Sequence, residues 1–204
     1  VKDFEGKTYA GWGAPSEEAV IKAVMNEAGA DFSKLNIVGS DGSGIAGLSD
    51  EVGKNKVNLG WEFYGWAIIK AMQDGYDLNY MPLADLDSRL YYYTPVIITN
   101  NKMIKKNSDT IQKFMEATKK GYEYAIDHPS KADEILHDDA LTDTDLKFLK
   151  ESQKYLSSQY AKDADSWGVM KDSVWDNYTD FMYETGLIDH KIDAKDQYTN
   201  EFVK

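Results

Sequence analysis

The feature that most constrains this chain is a change of rhythm near residue 100. Before it, short apolar runs ending in glycine alternate with amphipathic stretches; after it, only helical periodicity remains. Residues 7–13 (KTYAGWG) predict a short buried strand with glycines at its end. Ala14-Pro15-Ser16-Glu17-Glu18 then predicts a helix start, with proline in the first turn and two carboxylates where the helix dipole favours them. Ala19, Val20, Ala23 and Val24 supply one apolar face, and Gly29 a stop. Residues 35–39 predict a second strand. Residues 57–63 predict a third, running into a helix over about 65–73 with Gly75 behind it. Residues 78–83 and 92–99 read as further strands. Strands alternating with helices imply an α/β fold whose sheet is mostly parallel and covered on both faces.

Beyond Asn100, Ser108 predicts the cap of a helix carrying Ile111, Phe114, Met115, Thr118, Tyr122 and Ala125 on one stripe. His128-Pro129 breaks it, and Ser130 with Asp133 forms a capping-box pattern for the next helix. Residues 143–157 and 171–185 predict two more. The last turns Val174, Tyr178, Phe181 and Met182 inward and ends at Gly186. No flexible linker separates the halves, which predicts parts of two lobes rather than two independent domains. The division is expected at 1–93 and 94–204.

Charge narrows the partners. A formal net charge of −12 repels a phosphate backbone and an anionic membrane surface, so neither nucleic acid nor lipid headgroups are expected ligands. Of the basic residues 22 are lysine, and Arg89 alone offers the bidentate fork suited to carboxylate or phosphate. Fourteen tyrosines and five tryptophans favour stacking against a flat ring instead. The absence of cysteine removes disulfides, thiolate nucleophiles and Cys-ligated metal sites. No apolar run approaches the roughly 20 residues that span a bilayer. No signal peptide is legible, and because the chain opens at Val1 its beginning is read as incomplete.

Three motifs carry candidate chemistry. Gly42-Ser43-Gly44-Ile45-Ala46-Gly47 is a literal G-x-G-x-x-G, with Glu62 where a ribose-binding acid belongs. A dinucleotide site also needs an apolar-faced helix after the third glycine. Residues 48–55 are polar apart from Leu48 and Val52 and are interrupted by Gly53, which favours a plain glycine-rich connection. The second motif is Gly11-Trp12-Gly13-Ala14-Pro15-Ser16-Glu17-Glu18, at a strand end where α/β sheets bind ligands. Trp12, between two glycines, has little around it to bury it. Glu17 and Glu18 in the first turn disfavour phosphate and favour a neutral or amine-bearing ligand. The alternative is that both glutamates serve the helix and Trp12 packs in the core. The third motif, Trp61-Glu62-Phe63-Tyr64-Gly65-Trp66, straddles another strand end. Alternation places Trp61 and Phe63 on one side and Glu62 and Tyr64 on the other. A carboxylate beside aromatic rings can accept hydrogen bonds from an aminopyrimidine-like edge; the alternative is a core strand end.

Weaker features read as structural. His128, His137 and His190 lack metal-ligand spacing, and no metal is expected. His137-Asp138-Asp139 reads as a solvated acidic loop, and Asp85, Asp87 and Arg89 as an ion-paired turn. Trp167 and Trp175 read as core. Asn177-Tyr178-Thr179 is a glycosylation sequon inside a helix, hence a poor acceptor.

The stretches DFEGKTYAGWGAPSEEAVIKAVM, WEFYGWAIIKAM, YYTPVIITNNKMI and WGVMKDSVWDNYTDFMYETGLID resemble, in order, the solute-binding proteins that deliver thiamine pyrimidine precursors to ABC importers. The resemblance implies a type II periplasmic-binding-protein fold of two α/β lobes around a cleft. It implies a formylaminopyrimidine or hydroxymethylpyrimidine ligand, permease subunits as partners, and a lipid-anchored extracellular, or periplasmic, setting. It places Trp12, Ser16, Glu17, Trp61, Glu62 and Tyr64 in motifs that line the cleft from the second lobe, with residues 94–204 supplying a hinge strand and the returning helices of the first. Such proteins carry a segment before DFEGK that builds the first lobe; the expectation is that this segment is missing and that a homodimer covers the faces it would leave. The GSGIAGLSDEVGKNK region is also more glycine-rich than the family pattern.

The expectation is a non-enzymatic binder with no catalytic residue and no cofactor. The rivals are a pyrimidine-phosphate synthase-like enzyme of thiamine biosynthesis and a truncated domain that self-associates and binds nothing. The fungal-type synthases of the same superfamily carry a cysteine-rich segment and a reactive histidine; a chain without cysteine fits them poorly.

Overall fold

A computed structural model describes residues 1–40, 57–162, 164 and 166–203. The G-x-G-x-x-G motif and the polar stretch after it lie outside the described residues. The chain forms two compact units, one of 1–92 with 176–192, the other of 93–175 with 193–204.

The first unit is α/β. Three parallel strands, β1 (Thr8–Gly11), β2 (Asn36–Gly39) and β3 (Leu59–Gly60), lie in the order β2-β1-β3. Tyr9 pairs with Ile37 on one side and Leu59 on the other. Helix α1 (Pro15–Glu27) crosses between β1 and β2, opening on Pro15 and ending before Gly29, whose φ of +68° reverses the chain at no side-chain cost. Ile21 and Met25 pack with Tyr9, Ala30 and Leu35, while Val20 and Val24 pack with Leu90 and Phe181. After β3 a π-helical turn, Tyr64–Ile68, leads into α2 (Ile69–Gln73), and α3 (Leu83–Leu86) is a single turn.

The second unit is helical: α4 (Asn101–Lys106), α5 (Ser108–Asp127), α6 (Pro129–Asp139) and α7 (Leu146–Ser157), with α9 (Ala194–Gln197) near its end. Helix α8 (Asp172–Glu184) starts in this unit and continues into the first, where Phe181 is fully buried. Within the second unit Phe148 and Leu149 of α7 are buried, and Trp167 stacks on Tyr122 at 4.5 Å. Trp175 stacks on Tyr198 at 5.5 Å. Among the described residues no helix is long and apolar enough to cross a membrane.

Four expectations are corrected. Residues 78–83 and 92–99 form no strands: a strand needs a neighbour's N–H and C=O groups, and these runs have no ladder among the described residues. Ile98 is instead among the most exposed apolar side chains. The third strand is only two residues long, because the chain leaves the ladder at Trp61. Ser130 forms no capping box, since Pro129 already occupies the first turn and Asp133 turns inward to be buried. His137-Asp138-Asp139 closes α6 rather than forming a loop, and His137 Nδ1 lies 3.0 Å from Asp138 Oδ1. The ion-paired turn does form: Arg89 grips Asp87 through Nε and Nη2 and reaches Glu184 at 2.7 Å, while Asp85 stays exposed.

Candidate functional site

Two aromatic segments leave neighbouring strands at the same sheet edge. β1 ends at Gly11 and continues as Trp12-Gly13-Ala14 into α1; β3 ends at Gly60 and continues as Trp61-Glu62-Phe63 into the π-helical turn. Because Ala10 pairs with Gly60, the next residues emerge side by side. The Trp12 and Trp61 ring centroids are 5.4 Å apart and tilted by 48°. Trp61 is half-buried against both apolar clusters of this unit, whereas Trp12 is 60% exposed. The two indoles therefore converge. They do not frame a slot, since a ring sandwiched by two parallel walls needs about 7 Å, twice the ~3.5 Å carbon contact distance. The pair instead presents one tilted apolar surface whose open face is Trp12.

Glu62 follows Trp61 in the chain and is half-buried, and burial raises its carboxyl above the usual glutamate range. Tyr64 is half-buried with its ring 4.8 Å from that of Tyr80. Ser16 is exposed in the first turn of α1. Glu17 sits differently. Its side chain is buried, accepts a hydrogen bond from the Tyr9 hydroxyl, and accepts another from the Gly13 amide at 3.1 Å. Burial first, then the Glu17 hydrogen bond and the charges of Glu17 and Glu62, push the Tyr9 phenol far up, so it stays a donor. Five of the six anticipated residues are thus at or near solvent, and Glu17 is inside.

Alternation fails beyond β3. Phe63 is 68% exposed while Trp61 is packed, because residues 61–63 are no longer held in a ladder. Phe63 and Trp66 of the third motif add exposed aromatic surface to this unit, as does Tyr80, which the pattern did not single out. Tyr9 was missed as well; nothing in a strand's period marks a tyrosine whose partner is a glutamate on the next helix. Among the described residues no group of three His, Asp or Glu side chains is placed to hold a metal ion. The arrangement can present an apolar face to a flat ring and a carboxylate to a hydrogen-bond donor, which is recognition chemistry.

Comparison with known proteins gives two findings. The family model described as NMT1/THI5 like matches residues 1–132. A formylaminopyrimidine-binding protein of Halalkalibacterium halodurans is 24% identical over 180 residues, covering 81% of this chain and 52% of that protein. The chain therefore spans about half the length of the curated relative it matches.

Proposed function

The chain belongs to the NMT1/THI5 like family, and on that premise we propose that it is the solute-binding component of an ABC importer that captures a thiamine pyrimidine precursor of the formylaminopyrimidine or hydroxymethylpyrimidine type. The observation that carries the reading is the exposed Trp12 indole, braced on Trp61 at the carboxyl edge of a parallel sheet, with Glu62 adjacent in sequence to that brace. Stacking a planar ring on an exposed indole is worth about 1–3 kcal/mol per ring. Glu62 accepts hydrogen bonds from the ring's amino group, and Tyr64 and Ser16 contact its substituents. The sheet-bearing unit is the second α/β lobe of a type II periplasmic-binding-protein fold. The protein works outside the cell or in a periplasm and delivers its ligand to permease subunits.

A synthase-like reading has support from the family description, which spans more than transport proteins, whereas the curated relative is named as a binding protein. Calorimetric titration with formylaminopyrimidine and with hydroxymethylpyrimidine tests the proposal. The expected result is saturable binding, roughly tenfold or more weaker in Trp12→Ala. No heat with either compound would overturn it. Binding should also strengthen as pH rises through the raised Glu62 value, because only the ionised carboxylate is a pure acceptor, and Glu62→Gln should flatten that rise.

A further inference from the structure

Glu17 is the least expected feature of the site, since its neighbours in sequence face solvent and it does not. Its carboxylate touches the Trp12 loop on both sides of the indole. On one side Oε2 accepts the Gly13 amide at 3.1 Å. On the other it lies so close to the Gly11 backbone that a Cβ built on Gly11 would stand 2.5 Å from Oε1. From beneath, the Tyr9 hydroxyl donates to Oε1. Tyr9 itself is buried in the middle of the sheet, in ladder with both neighbouring strands.

The loop needs such a hold. Gly13 sits at φ +80°, and two glycines flank the indole, so the backbone has more conformations open to it than any other three-residue segment of ordinary side chains. Trp12 is mostly exposed and brings little burial of its own. Helix α1 has no side-chain cap from Ala14, so the third residue of its first turn reaches back to a backbone amide before the helix, as the glutamate of a capping box does. A buried carboxylate with two donors and no room to shift is a rigid anchor, because displacing it leaves a charge without partners.

We propose that Glu17 is a positioning residue, not a ligand contact: seated on Tyr9 and joined to Gly13, it sets the Trp12 indole against Trp61 and so prepares the stacking surface before any ligand arrives. This inference rests on the binding reading only for its functional consequence, a lower affinity when the surface is not prepared. The geometric part concerns the ligand-free protein.

The test is therefore read without ligand. Two indoles in contact give a far-ultraviolet circular-dichroism couplet from their coupled transitions, and the difference between the wild type and Trp12→Phe isolates the Trp12–Trp61 share. Glu17→Ala should lose that couplet to the level of Trp12→Phe while keeping cooperative unfolding, and Gly11→Ala should do the same by displacing the carboxylate. Tyr9→Phe, which removes one of the two donors, should show an intermediate amplitude. Affinity for formylaminopyrimidine should fall roughly tenfold in Glu17→Ala, the scale of one lost hydrogen bond to a charged group. A wild-type couplet in Glu17→Ala overturns the proposal. Should Glu17→Ala not fold, Tyr9→Phe decides, and a full wild-type amplitude there overturns it equally. If no pyrimidine binds the wild type, the binding reading falls while the couplet still decides the role of Glu17.

Discussion

Helices α1 and α5 carry comparable apolar stripes and meet different fates. α1, 13 residues long in the sheet-bearing unit, buries Val20, Ile21, Val24 and Met25 as well as Glu17. α5, 20 residues long in the helical unit, buries no residue at all, and Phe114 on its stripe is 56% exposed. Each fully buried aliphatic side chain contributes about 1.5–3 kcal/mol. The stripe is the same signal in both; only α1 has a sheet on one side and Leu90 and Phe181 on the other. Amphipathicity states which face could be buried, and burial itself depends on what stands opposite.

The largest test of that contrast is Phe181→Ala. Removing a fully buried ring from the cluster that receives α1 should cost about 3–5 kcal/mol in urea unfolding. A cost below about 1 kcal/mol would mean the cluster collapses around the gap and the contrast is weaker than it looks. Arg89→Ala should cost about 1–2 kcal/mol in the same measurement, since it removes the fork on Asp87, the contact with Glu184 and the guanidinium 5.6 Å above the Phe181 ring.

Asp133 gives a smaller, pH-dependent effect in the helical unit. It is 2% exposed, and its Oδ1 has no hydrogen-bond partner among the described residues. Burial raises its carboxyl above the ordinary aspartate value; the charge of Glu134 on the same helix adds to the rise, while Lys150 on α7, the Glu134 backbone amide and Lys131 oppose it. The folded state then holds this proton more tightly than the unfolded chain, so stability is highest below the ordinary aspartate value and falls as pH rises through the raised one. Asp133→Asn should flatten that fall and stabilise the protein above it, read as urea midpoints across a pH series. An unchanged pH profile would show that the carboxyl is solvated after all. Smallest of all, Phe114→Ala on α5 should change stability by less than about 0.5 kcal/mol. A loss approaching that of Phe181→Ala would show that Phe114 is covered in solution.

Much of the sheet-bearing unit was legible. The start of α1 follows from Pro15 and the acidic first turn, and its end from Gly29. The glycine-ended strands β1 and β2 and the convergence of Trp12 with Trp61 follow from alternating strand and helix signals, because parallel strands must deliver their ends to one edge. The stripe residues Tyr178, Phe181 and Met182 of α8 do turn toward the α1 cluster. Residues 92–99 show the limit. Their β-branched and aromatic run has strand composition, yet composition does not supply the ladder partner.

The chain's own order of residues determined what is local: caps, turns, periodicity, and the placing of two indoles at successive strand ends. Such features depend on neighbours a few positions away and need no knowledge of the rest. Only the tertiary structure decided that the indoles touch, that Glu17 points inward to Tyr9, that α8 returns Phe181 to the first unit, and that the stripe of α5 is only half-buried, with Phe114 exposed. Each of these joins residues distant in sequence or depends on whether a partner surface exists, and neither is written in a local pattern.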